Sequence, residues 1–104
     1  MTEVRTAPVR ARPVDYDALE EAGLDALKAN AGGFEFVKDR EGRVSLMIMI
    51  CPCGCGNTGG LRIRPAPSPS WEWDGNTEAP TLTPSVHHVG HWHGWLKSGV
   101  WESC

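Results

Sequence analysis

Short runs of alternating apolar and polar residues, one stretch of helical periodicity near the N-terminus, and three cysteines at alternate positions together predict the fold class. That class is mainly β: a small antiparallel sheet or sandwich with one N-terminal helix and a zinc knuckle. The alternating runs are Phe34-Glu35-Phe36-Val37-Lys38, Leu61-Arg62-Ile63-Arg64 and Trp71-Glu72-Trp73, and the cysteines stand in Cys51-Pro52-Cys53-Gly54-Cys55-Gly56. At 104 residues the chain holds one domain with a single modest core. Residues 15–104 are expected to form it, stapled by metal, behind a flexible arm of residues 1–14.

The arm mixes Arg with Pro and has no apolar run, so neither a signal peptide nor a membrane anchor is expected there. From Asp15 to Ala29 the pattern is helical. Asp17 and Glu20 resemble a capping box, Leu19, Ala22, Ala26 and Leu27 share a face, and Gly32-Gly33 stops the helix. The thin apolar stripe suits a lid lying on the sheet. Phe34–Lys38 is the first strand, and Asp39-Arg40-Glu41-Gly42 is a turn whose glycine suits positive φ. Val44 to Ile50 is apolar almost throughout, which predicts a central strand covered on both faces. It runs straight into the cysteines, and Leu61–Arg64 leaves them, so the cysteine loop is expected at the tip of a hairpin. Pro65 to Ser70 is a surface connection. Thr81 to Val86, broken by Pro84, is expected at an edge or as irregular chain. Trp92 to Leu96, the turn Lys97-Ser98-Gly99, and Val100 to Glu102 form a closing hairpin.

A formal net charge of −3 offers no basic patch, so nucleic acid is not an expected partner, and no membrane association is expected either. The expected compartment is the cytoplasm, where thiols stay reduced, and that favours metal over disulfide. Cysteines two apart close a strained minimal loop, and three clustered thiols cannot all pair with one another. Zinc is therefore the predicted cofactor, bound by Cys51, Cys53 and Cys55, with Pro52, Gly54 and Gly56 letting the backbone curl until the sulfurs converge. The fourth ligand comes from elsewhere; His91, His93 and Cys104 are the candidates, and His91 is preferred. Three thiolates neutralise the charge of the ion, which suits a structural site better than a Lewis acid.

In His91-Trp92-His93 an extended backbone puts both imidazoles on one side, one free to face a metal and the other a cleft. His87 and His88 are adjacent and should point to opposite faces, as solvent-facing or hydrogen-bonded residues. Ser85 follows Pro84 and is an ordinary turn residue unless a histidine comes within reach; it is then a candidate nucleophile. All five tryptophans lie between residues 71 and 101, and one or two could line a groove for an extended peptide.

In their order along the chain, several elements resemble a small phage and bacterial zinc-binding domain family formerly of unknown function. They are Cys51-Pro52-Cys53-Gly54-Cys55-Gly56, Trp71-Glu72-Trp73-Asp74-Gly75-Asn76, Pro80-Thr81-Leu82-Thr83-Pro84-Ser85, His93-Gly94-Trp95 and Gly99-Val100-Trp101. Some members are peptidases of bacterial ubiquitin-like conjugation operons of the Bub type. The resemblance covers residues 34–104 and implies a serine hydrolase, with Ser85 as nucleophile and His93 as base. The implied partner is a protein or peptide, such as the tail of a ubiquitin-like protein that is processed or deconjugated. Asp74 and Glu102 are candidates for an acidic partner. The competing expectation, from a different class, is a non-catalytic zinc-binding phage accessory module that binds a partner through its Trp-rich edge.

Overall fold

The computed structural model describes residues 3–104. Where the sequence alternates, the chain is extended. The elements are β1 (Val9–Arg10), α1 (Tyr16–Ala22), α2 (Leu24–Ala29), β2 (Phe34–Lys38), β3 (Val44–Ile50), β4 (Thr58–Arg62), β5 (Glu72–Trp73), β6 (Leu82–His88), β7 (Trp92–Lys97) and β8 (Val100–Ser103). They form two antiparallel sheets, one ordered β2-β3-β4 and the other β1-β8-β7-β6-β5. The fold is mainly β, as the sequence predicts.

The two sheets meet at both edges. Pro13 bridges Phe34 of β2, and Ile63, just past β4, bridges Trp71, just before β5. Following backbone pairings around the molecule therefore leads from β1 back to β1, which makes the sandwich a flattened barrel with two weak seams.

The core lies between the sheets. β7 buries Trp92, Gly94 and Leu96 and turns His93, Trp95 and Lys97 outward, as strand alternation requires. β8 adds Trp101, whose ring meets that of Trp92 at 90° with centroids 5.7 Å apart. Phe34, Met47, Met49, Leu61, Ile63, Leu82 and Val86 complete the core. Both buried indoles have hydrogen-bond partners: Trp101 Nε1 donates to the Gly32 carbonyl at 2.8 Å and Trp92 Nε1 to the Thr6 hydroxyl at 3.1 Å. β3 is central, as expected, but its faces are not alike. Met47 and Met49 are buried on one face, whereas Val44, Leu46 and Ile48 on the other are half-covered and only Ile50 is buried there.

Several features differ from expectation, among them β4, which runs Thr58–Arg62 where the pattern puts Leu61–Arg64. The single helix is two, broken at Gly23, which has φ 109° and accepts from Ala26 N–H and Leu27 N–H. A capping box at Asp17 and Glu20 does not form. Asp15 caps α1 by accepting from Ala18 N–H at 3.2 Å, and Glu20 accepts from the Tyr16 hydroxyl instead. The Thr81–Val86 stretch takes the irregular one of its two expected forms: β6 lies between β7 and β5, with Pro84 inside an irregularity between Leu82 and Val86. β5 covers only Leu82 and Thr83 of it. As for the arm, Met1 and Thr2 lie outside the described residues. Val9 and Arg10 pair with Trp101 and Val100 of β8, and Ala11 is buried.

Gly94 has a steric reason to be glycine. A Cβ there would run into the Glu102 backbone carbonyl of β8 and the buried Trp92 ring. Gly94→Ala is expected to destabilise the fold by about 3 kcal/mol through forced repacking, measured as a lower midpoint in urea unfolding. An unchanged midpoint would mean that β7 and β8 are not packed this closely.

Candidate active site and thiol cluster

β3 delivers the chain into the cysteine loop at the tip of the β3–β4 hairpin, as the sequence predicts. Cys51 N–H donates to the Asn57 carbonyl at 2.9 Å and closes the loop, and Gly54 N–H donates to the Cys51 carbonyl at 3.2 Å. Gly54 and Gly56 take φ of 87° and 84°, a left-handed backbone that curls the chain back on itself. Helix α2 packs over the loop, with Leu24 and Lys28 against Gly56. As a result the sulfurs of Cys51, Cys53 and Cys55 all lie within 4.8 Å of one another, and Cys51 and Cys53 are 3.3 Å apart. Sulfurs sharing a tetrahedral zinc sit roughly 3.7 Å apart, from a Zn–S length of about 2.3 Å. Three convergent soft donors on a partly covered loop are a group that could hold a metal ion.

The thiols are not equivalent. Burial drives the Cys51 thiol far up in pKa. Burial also pushes Cys53 upward, but hydrogen bonds from the Cys51 and Cys55 thiols outweigh it, and the net direction is down. No disulfide joins any of the four cysteines, and Cys104 is exposed and outside the cluster.

The histidines divide into two groups. His91 is in the turn before β7, where its N–H donates to the His88 carbonyl. Its ring stacks on His88 at 4.5 Å, and its Nε2 is 3.5 Å from Asn57 Nδ2, at the rim of the cysteine loop. His91 is thus beside the cluster but not within the group of converging sulfurs. His88 is half-buried. Its Nδ1 has no hydrogen-bond partner among the described residues, and burial, followed by the charge of His91, lowers its pKa.

His93 belongs to the other group, on the outer face of the five-stranded sheet. Next to buried Val86, strand alternation turns Ser85 to that face, and Ser85 Oγ lies 3.2 Å from His93 Nε2. His87 is opposite His93 across β6 and β7, with the rings stacked at 4.5 Å. His87 Nε2 is 3.5 Å from the Glu3 carboxylate, which also accepts from Gly90 N–H at 3.0 Å. That backbone donor, more than His87, holds the Glu3 carboxyl below its ordinary range. The two imidazoles read as His91 and His93 on one strand side are therefore separated, one at the cysteine loop and one beside Ser85.

Neither acidic candidate is hydrogen-bonded to His93 among the described residues. Asp74 accepts from Asn76 N–H and Thr81 N–H within its own turn, and Glu102 lies across from Trp95. Sequence reasoning missed Glu3, because residues so near an end give no hint of contact with residues 87–90.

Three clefts, of about 260, 450 and 350 Å³, open beside Arg12, Glu78 and Pro65. None is lined by Ser85 or His93. Ser85 and His93 are half-buried on the outer face of the five-stranded sheet. No helix among the described residues is long and apolar enough to cross a membrane.

A small β domain with a serine–histidine pair on one sheet face and a thiol cluster at one hairpin tip is the class that fold and site define. The chain belongs to the family described as bacterial ubiquitination-like system serine protease (BubE), whose model matches residues 21–104. The match takes in the end of α1 and all of α2, beyond the 34–104 that the motifs alone carry. No curated protein and no solved structure matches the chain.

The thiols are expected to label unequally. Brief alkylation of the native protein should modify Cys104 first and Cys51 only after unfolding, read by peptide mass spectrometry. Equal labelling would contradict the buried placement of Cys51.

Proposed function

We propose that this chain is a serine peptidase that processes or deconjugates a ubiquitin-like protein, with Ser85 as nucleophile and His93 as general base. The observation that carries the reading is the 3.2 Å separation of Ser85 Oγ and His93 Nε2 in a chain of this family. His93 Nε2 accepts the hydroxyl proton as Oγ adds to the substrate carbonyl. The tetrahedral intermediate collapses as His93 gives that proton to the leaving amine. Water, activated by the same imidazole, then releases the acyl group from Ser85. The base is steadied from behind by the stacked His87 and its Glu3 partner, in place of a carboxylate bound directly to His93.

In this reading Cys51, Cys53 and Cys55 would hold zinc, with His91, beside the loop at Asn57, as the fourth ligand. Zinc there would tie the β3–β4 hairpin tip together. Its thiolate-rich ligand set and the placement of Ser85 in the other sheet leave the hydrolytic steps to the side chains.

Cleavage of a ubiquitin-like precursor tests the first part. Ser85→Ala and His93→Ala should each cut kcat/KM by about 10³-fold or more with melting unchanged. Folded variants that cleave as fast as the parent would exclude this centre. Elemental analysis of protein purified without added metal tests the second, with one zinc per chain expected. Cys55→Ser should lose the metal and lower the melting temperature together, because binding energy at such a site is folding energy. A metal-free protein with full stability would remove zinc from the account.

A further inference from the structure

Backbone direction along the weaker seam of the barrel gives this surface a use. Trp71 N–H donates to the Arg62 carbonyl at 2.8 Å, and Arg64 N–H donates to the Trp71 carbonyl at 2.9 Å. Arg62 and Arg64 therefore turn their backbone groups toward Trp71, away from β3, and alternation turns those of Gly60 and Thr58 the same way. Ile63 has the opposite parity, and its N–H donates to the Ser45 carbonyl of β3, as this requires. On the facing strand the Ser85 carbonyl accepts from Trp71 Nε1 at 3.2 Å. Ser85, and with it His87, thus face away from β7. β5 pairs only with Leu82 and Thr83, and β4 pairs with no strand but β3. Among the described residues, two strand edges that no strand covers border one seam, Thr58 and Gly60 on one side and Ser85 and His87 on the other, with only the Ser85 carbonyl taken, by Trp71 Nε1. Trp71 spans one end, and the Asn57–His91 contact spans the other.

We infer that an extended segment of the protein substrate docks in this seam as an added strand, pairing with β6 beside Ser85 and reaching Gly60 of β4. The inference rests on the peptidase reading and deepens it. Unpaired strand edges recruit extended chains through main-chain hydrogen bonds. The open stretch, about four residues at roughly 3.3 Å each, suits a tail rather than a folded surface. The occupant must also be small on its inner side. Leu61, Ile63, Val86 and Trp92 already fill the interior, with exposures of 6%, 5%, 2% and 0%. A strand seated there has room for glycine or alanine at its inward positions and not for branched or aromatic residues. Gly60 adds no side chain of its own to the wall. The seam therefore selects an extended, glycine-containing tail and leads it past the serine hydroxyl.

The test uses the full chain carrying Ser85→Ala and a labelled peptide with the C-terminal tail of a ubiquitin-like protein from a bacterial ubiquitination-like system. Bound peptide should slow hydrogen exchange at the Gly60 and His87 amides. Gly60→Pro removes an N–H that β3 does not use, and proline is tolerated on an edge strand. It should weaken peptide binding, and in the Ser85 parent lower kcat/KM for the precursor, by about tenfold. Valine in place of the tail's inward glycine should weaken binding similarly. Peptide that binds without protecting either amide, or cleavage by Gly60→Pro at the parent rate, overturns the seam and leaves the peptidase reading standing. Absence of both binding and cleavage in the parent overturns the two together.

Discussion

The right-angled packing of Trp92 against Trp101 is the constraint on which the rest of the structure depends. These two rings fill the space between the sheets, and each is tied by its N–H to a different part of the chain. Trp101 holds the Gly32 carbonyl, and so the crossing from the helices into β2. Trp92 holds Thr6 of the N-terminal segment. Because an indole is too large to sit beside another side chain here, position 94 is left to glycine. That glycine lets β7 approach β8 closely with His93 turned outward. The His-Gly pair in the sequence is thus one device: glycine closes the core while the neighbouring imidazole faces Ser85.

Much of this was legible in the residues. The alternation of Phe34–Lys38, the apolar run Val44–Ile50 and the closing hairpin all appear as strands where the pattern puts them. The cysteine loop at a hairpin tip follows from two strands running into and out of one glycine-rich turn. Local patterns were less informative where nonlocal contacts decide. Gly23 looks like a tolerable interruption of a helix until its backbone is seen ending one helix and starting another. Pro84 argues for an edge or an irregular stretch; the chain bulges around it and still pairs with β7 on either side. Val9 and Arg10 show no strand periodicity, and only β8 makes them a strand.

At the site, residue types pointed to candidate groups, and the Ser85–His93 pairing came from the resemblance. The clustered cysteines signalled convergence, and the structure brings their sulfurs together. Residue type alone does not divide four histidines within seven positions; the resemblance put His93 with Ser85, and His91 was preferred at the cysteine loop. Turn geometry decides it. His91 is folded back on His88, while His93 starts its strand's outward row. Glu3 joins the outer face only because the N-terminal segment runs past the β6–β7 turn, hydrogen-bonding Val4 N–H to the His91 carbonyl.

The central claim is that one serine, on an open sheet edge and beside one imidazole, forms the reacting centre. The most direct measurement is covalent trapping with a ubiquitin-like tail carrying a serine-reactive electrophile at its C-terminus, followed by peptide mapping. The account predicts an adduct on the peptide containing Ser85, formed by the parent and strongly reduced in His93→Ala. An adduct on Cys53 or another cysteine, or one on Ser85 that forms equally well without His93, would contradict it.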